Sequence, residues 1–135
     1  MRETDHAKAA PLAVRAQALF ASGRLACRQS DDEHARLRGE ASLALFREIG
    51  DRAGIVVSLS LLAPVAADQH RYHQATTFYE EALALSRESN DRYNVAMLLT
   101  NLGLMYHEQR DLPHAARLYA ETSLLYERLR TGDDV

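Results

Sequence analysis

The sequence predicts an all-α fold of three consecutive helical hairpins, six main helices within a single domain of 135 residues. Three observations carry this. Ala, Leu, Glu and Arg dominate, and β-branched residues are scarce outside Ile55-Val56-Val57, so the composition favours helix. The chain also echoes itself at one fixed offset, the mark of a repeat architecture. Asp-containing turn signals fall where such hairpins have to stop and restart.

The echo is read most easily from Glu48-Ile49-Gly50-Asp51-Arg52 and Glu88-Ser89-Asn90-Asp91-Arg92, where 91 − 51 gives an offset of 40. That offset sets Leu59 over Leu99, Leu62 over Leu102, Ala63 over Gly103, Ala75 over Ala115, Tyr79 over Tyr119 and Leu85 over Leu125. Carried backward it places Leu19, Gly23, Gln29, Ala35 and Leu43 in the same register. The repeats are therefore expected at about 11–50, 51–90 and 91–130, with 1–10 and 131–135 as tails, the first frayed or truncated.

Within the first repeat a helix is expected from about Pro11 to Arg28, and Ser30-Asp31-Asp32 caps a second reaching about Ile49. Gly50-Asp51 punctuates. The next helix runs to about Gln69 and is apolar nearly all round, the pattern of a central buried element. Ile55-Val56-Val57 reads alternatively as the start of a strand, and Pro64 bends any helix containing it; length and register favour a bent helix. Its partner spans roughly Tyr72 to Ser89. In the third repeat Asn90 stops one helix and Asp91 caps the next, which runs to about Gln109. Asp111 then caps the last helix, with Pro113 in its first turn, where a missing N–H is harmless. That helix carries two apolar stripes, one with Leu112, Ala116, Tyr119 and Tyr126 and another with Leu118, Leu125 and Leu129, and so is expected to be contacted from both sides.

These residues resemble the tetratricopeptide repeat in a long form with an extended second helix. The third repeat supplies Leu99, Leu102-Gly103, Tyr106, Ala115, Tyr119 and Thr122; the second Leu59, Leu62-Ala63, Ala66, Ala75, Tyr79 and Ala82. The first supplies Leu19, Ser22-Gly23, Ala26, Ala35, Gly39 and Ser42, without the aromatics. The resemblance implies a right-handed α-solenoid in which the small residues let paired helices approach and Tyr106 and Tyr119 fill the gaps beside them. Long repeats with Gly-Asp between units are similar to those of large bacterial ATP-dependent transcriptional regulators and signalling ATPases, where they serve as scaffold or sensor modules.

Composition and motifs exclude other classes of function. Sixteen basic and nineteen acidic residues give a formal charge of −3, no field for nucleic acid. The longest uncharged stretch, 53–67, is shorter than the roughly 20 residues that cross a bilayer, and residues 1–10 lack the apolar core of a signal peptide. A cytoplasmic location follows as the default. Cys27 is alone and reads as a small, buried, apolar residue. Lys8, the single lysine, follows no phosphate-binding glycine loop. Of the six histidines, His34, His70, His73 and His114 read as solvated, and none has metal-ligand spacing. No nucleophile elbow or Cys–His signature is present. The chain is expected to be no enzyme, with no metal and no cofactor.

What the resemblance does imply is a protein or peptide partner held in a concave groove lined by the first helix of each hairpin. Its register gives Gln17, Phe20, Arg24 and Arg28 in the first repeat, Val57, Ser60, Pro64 and Asp68 in the second, and Met97, Thr100, Asn101, Leu104, His107 and Glu108 in the third. Arg24 and Arg28 are a basic pair suited to a carboxylate, although the Lys/Asn set that clamps a C-terminal carboxylate in chaperone-linked members is absent. The alternative is a self-associating structural module, a homodimer formed through repeat ends that lack polar caps. Placement of the small residues is testable at once. Ala75→Glu or Ala115→Glu should cost on the order of several kcal/mol by burying an unpaired charge, and an unchanged thermal melt would contradict the register.

Overall fold

In the computed structural model, which describes residues 3–132, the chain is helical with no strand among those residues. Six helices follow in order: α1 (Glu3–Arg28), α2 (Asp32–Ile49), α3 (Arg52–Asp68), α4 (Tyr72–Glu88), α5 (Arg92–Glu108) and α6 (Leu112–Thr131). They fall into two compact units, residues 1–78 and 79–135, with α4 beginning in the first and ending in the second.

The helices are cut to length by five turns of one design. Ser30, Gly50, His70, Asn90 and Arg110 all have positive φ, between 57° and 72°, and they lie 20 residues apart. At each, the amide of that residue donates to the carbonyl three back, and the amide after it donates to the carbonyl five back: Asp31 to Ala26, Asp51 to Phe46, Arg71 to Ala66, Asp91 to Ser86 and Asp111 to Tyr106, at 2.8–3.0 Å. This is the Schellman closure, which satisfies the last carbonyls of one helix while reversing the chain. Asp then restarts the chain at four of the five turns. Asp31, Asp51, Asp91 and Asp111 accept from the backbone N–H groups of His34, Gly54, Asn94 and His114. His34 and His114 also turn Nδ1 onto the capping carboxylate, at 2.6 and 2.7 Å. The His34 amide, and then its ring, hold the Asp31 carboxyl below the usual carboxylate range.

Two expectations are corrected at the start of the chain. Residues 3–10, expected to be tail, are the first turns of α1, so Pro11 lies inside the helix and not at its beginning. Ala, Lys and Glu around it are strong helix formers, and what Pro11 removes is a single amide donor to the carbonyl four residues back. Residues 1–2 and 133–135 of the expected tails lie outside the described residues. Ile55-Val56-Val57 is helical, within an α3 that runs unbroken past Pro64.

In the first unit α2 packs on both α1 and α3, and α1 also touches α3. Here the tyrosines missing from the first repeat are replaced from the neighbouring helix. Gly39 stands where later repeats carry Tyr79 and Tyr119, and Leu62 of α3 fills its place: a Cβ on Gly39 would come within 2.7 Å of Leu62 Cδ2. Gly23 meets Leu61 in the same way, at 2.9 Å. Further along, the Phe46 ring lies over Gly54 so closely that a Cβ there would fall inside it. Between these contacts Ser42 donates to the Gly39 carbonyl (2.9 Å), which leaves the fully buried Ser58 hydroxyl to donate to Ser42 (2.9 Å).

In the second unit α5 packs on α6. Val95, Ala96, Leu98, Leu99, Leu102, Gly103 and Met105 are buried, as many as α3 buries, so α3 is not singular as a core element. Gly103 faces the Tyr119 ring, with a hypothetical Cβ 2.8 Å from Cε1. Tyr106, half-buried, stacks on His114, the neighbour of Ala115, ring centroids 4.9 Å apart at 20°. Ser86 on α4 accepts from Asn94 Nδ2 on α5 at 2.8 Å. On α6, Ala115 and Thr122 of the first stripe are buried and Leu118, Leu125 and Leu129 of the second are half-buried, while Leu112 and Tyr126 are exposed.

Two substitutions test this account. Gly54→Ala drives a methyl into Phe46 and should cost about 1–3 kcal/mol. Phe46→Leu in the same chain should recover part of the loss, a non-additivity that chemical denaturation measures directly. At the one turn lacking aspartate, residue 71 is an arginine, with no side-chain acceptor for the first amides of α4. Arg71→Ser should stabilise the chain by about 1 kcal/mol, seen as a higher melting temperature. An unchanged or lower value would show that the α4 end is satisfied by other means.

Candidate partner-binding surface

The surface positions on α1, α3 and α5 follow from the same 40-residue register. Gln17, Val57 and Met97 are equivalent; so are Phe20, Ser60 and Thr100; so are Arg24, Pro64 and Leu104; so are Arg28, Asp68 and Glu108. With Asn101 and His107 they are all exposed or half-buried, while their helices bury the opposite side. Spacings of three, four and four residues keep each set on one helical face.

In the first unit α1 and α3 lie side by side. Arg24 sits over the Phe20 ring, 5.8 Å from its centroid, a cation–π contact that holds the guanidinium above an aromatic floor. Arg28 continues the basic edge one turn on, exposed. Ser60 donates its hydroxyl to the Val56 carbonyl at 2.8 Å. In the second unit the α5 face pairs the exposed apolar side chains of Met97 and Leu104 with exposed His107 and Glu108. Thr100 donates to Ala96 at 2.8 Å, so both register-equivalent hydroxyls spend their protons within the helix and offer only lone pairs outward. The surface is thus apolar patches edged by charge, with few free neutral donors.

Chemistry of other kinds finds little support in the geometry. No group of three or more His, Cys, Asp or Glu able to hold a metal occurs among the described residues. Cys27 is half-buried against Ala26, Ala35 and Val65, not fully buried as expected. Burial raises its thiol pKa, and Asp32 and Asp68 raise it further, the reverse of nucleophile activation. His70 is engaged with the Tyr72 hydroxyl at 2.8 Å. A cleft in the second unit, lined by Ser86, Arg87, Asp91, Val95, Glu121 and Leu125 among others, has a volume of about 190 Å3, below the roughly 300 Å3 at which ligand pockets begin. No helix is long and apolar enough to cross a membrane among the described residues.

Sequence reasoning missed three features. The Asp-x-x-His caps at 31/34 and 111/114 were readable as a spacing. The 20-residue recurrence of Asp31, Asp51, Asp91 and Asp111 was equally visible. The Arg24–Phe20 stack was within reach as an i, i+4 pair.

A family model for the tetratricopeptide repeat matches residues 54–128, more than half of the chain. No curated protein matches the sequence. Among solved structures, the tetratricopeptide-repeat domain of Arabidopsis FLU is similar with a TM-score of 0.79 at 20% identity, over 90% of this chain and 99% of that one. Identity that low speaks for the fold alone, and the likeness agrees with a chain of six helices. The chain belongs to the tetratricopeptide-repeat family.

Proposed function

We propose that the exposed faces of α1, α3 and α5 bind a peptide or protein partner, and that the chain is a scaffold or sensor module of a larger bacterial regulator in the cytoplasm. The family is one of interaction modules, which supports the coarse reading. The observation that carries the finer one is the exposure of Met97 and Leu104 on the same face of α5, at positions whose register equivalents include Val57 and Arg24. Apolar side chains that the fold leaves uncovered at repeating positions gain by burial against a ligand. Arg24, held over Phe20, and Arg28 supply the polar discrimination: a guanidinium already positioned loses less entropy on engaging a carboxylate. The α5 face thus suits an apolar anchor of a partner, and the α1 face an acidic group.

The scaffold-or-sensor assignment rests on the resemblance of the long Gly-Asp-punctuated repeats to those of bacterial regulators. Catalysis has no part in this reading, since a raised thiol pKa and helix-capping histidines supply no activated nucleophile or base.

Panning the full chain against a displayed random peptide library tests the proposal. Enriched peptides should combine acidic and large apolar residues. Met97→Arg with Leu104→Arg should weaken a selected peptide by tenfold or more, about 1.4 kcal/mol, and Arg24→Ala with Arg28→Ala should do so for its acidic residue, with the melt unchanged. Peptides that bind with undiminished affinity to both variants would show that the partner sits elsewhere.

A further inference from the structure

The 40-residue register shows which surfaces the fold covers internally and which it leaves bare at its two ends. Position by position, α6 has the face that α2 offers to α3 and that α4 offers to α5. Phe46 and Ser86 on those helices are 2% and 1% exposed, while their equivalent Tyr126 is 48% exposed. Leu43 and Leu83 are buried, while Ser123 is exposed. The mirror case holds on α1. Ser58 and Leu98 are fully buried, yet Ala18 is exposed; Val65 and Met105 are buried, yet Leu25 is exposed; Gly54 is buried under Phe46, yet Val14 is 69% exposed. Among the described residues that face of α6 and the complementary face of α1 are left exposed, and each presents the half the other needs.

We infer that a second copy of this chain covers α6 with its α1, head to tail, reproducing the helix contact already made inside each copy. The internal contacts supply the template. Gly39 meets Leu62, Ser42 meets Ser58, Phe46 meets Gly54, and Ser86 meets Asn94. Advancing each by the repeat brings Tyr119 to Ser22, Thr122 to Ala18 and Tyr126 to Val14 of the second copy. The first two pairs are no bulkier than Tyr79 with Leu102 or Ala82 with Leu98, their counterparts in register. Tyr126 with Val14 is larger than Phe46 with Gly54, so the seam opens somewhat at that edge. Charge agrees as well. Arg87 and Val95 line one cleft, and their advanced equivalents are Glu127 and Arg15, opposite in sign. Glu127 is exposed and pairs only locally with Arg130 on its own helix, an ion pair easily exchanged at a surface. A face-to-face pairing of two α6 helices has no such template.

Because the two surfaces differ, the contact is heterologous, and it extends beyond a dimer instead of closing. Light scattering on the eluting chain from about 10 µM to about 1 mM, where small interfaces dissociate, should show a mass rising above the 15.1 kDa monomer. Val14→Glu and Tyr126→Glu, both at exposed positions, should each hold the chain monomeric with an unchanged helical melt. Mixed in equal amounts they should restore one seam and give a 1:1 dimer that grows no further, since one variant keeps an intact α6 and the other an intact α1. A monomer for the unmodified chain throughout that range overturns the inference. So does loss of association with Tyr126→Glu but not Val14→Glu, the signature of α6 meeting α6, and so does a mixture that stays monomeric.

Discussion

The structure depends on where its helices stop. Five left-handed residues set 20 apart punctuate the chain, so that α2 to α5 are rods of 17 or 18 residues and the links between helices are two or three residues long. With the turns evenly spaced, side chains 40 residues apart take equivalent positions on their own helices. Only Gly50 among the five adopts positive φ without cost. Ser30, His70, Asn90 and Arg110 are non-glycine residues, for which the left-handed basin costs about 1 kcal/mol each. The compensation lies in what surrounds them: two backbone hydrogen bonds closing the preceding helix and, at four turns, an aspartate opening the next. The stop and the restart act as one device, since the same short segment satisfies orphan carbonyls on one side and orphan amides on the other.

Given that frame, packing is solved pairwise, by trading volume between helices. Where Tyr119 lies on Gly103, the bulk comes from the second helix of a hairpin and the space from the first. In the first unit the trade is reversed, with Gly23 and Gly39 supplying space and Leu61 and Leu62 of α3 supplying bulk. At the next contact along, Phe46 over Gly54 is apolar and asymmetric, whereas its register equivalent Ser86–Asn94 is a hydrogen bond between side chains of similar size. Close packing demands that summed volume be conserved at such a site, not the identity of either partner.

That is also why part of the molecule was legible in the sequence and part was not. Asp51, Asp91 and Asp111 announce helix starts because a short acceptor side chain has one common use there, and Gly50 and Asn90 announce stops for a similar reason. The stops at Ser30, His70 and Arg110 use residues with no left-handed preference, so only their spacing betrays them. Pro11 points to a helix beginning there because proline suits a first turn, yet α1 begins before it, through residues that favour helix. The missing aromatics of the first repeat could not be resolved from that repeat, since the compensating leucines belong to α3. For the candidate surface the difficulty is sharper. Met97 and Met105 are the same residue on the same helix, one exposed and one buried, and no local property of the sequence separates them. Register does, because it assigns each to a face.

The same reasoning bears on how such a chain acquires a function. Residues between helices are constrained in pairs, so a change on one helix calls for a matching change on its neighbour. Residues on the outer faces of α1, α3 and α5 are exposed or half-buried, and at equivalent positions they differ in kind: Arg24, Pro64 and Leu104, or Gln17, Val57 and Met97. Ser60 and Thr100 are alike, and their hydroxyls are tied to their own helices. Divergence is thus concentrated where the fold makes no demand. A rigid repeating frame with a freely varying surface is a physical basis for recognition, because the backbone presents each new side chain at a predetermined position without having to refold around it.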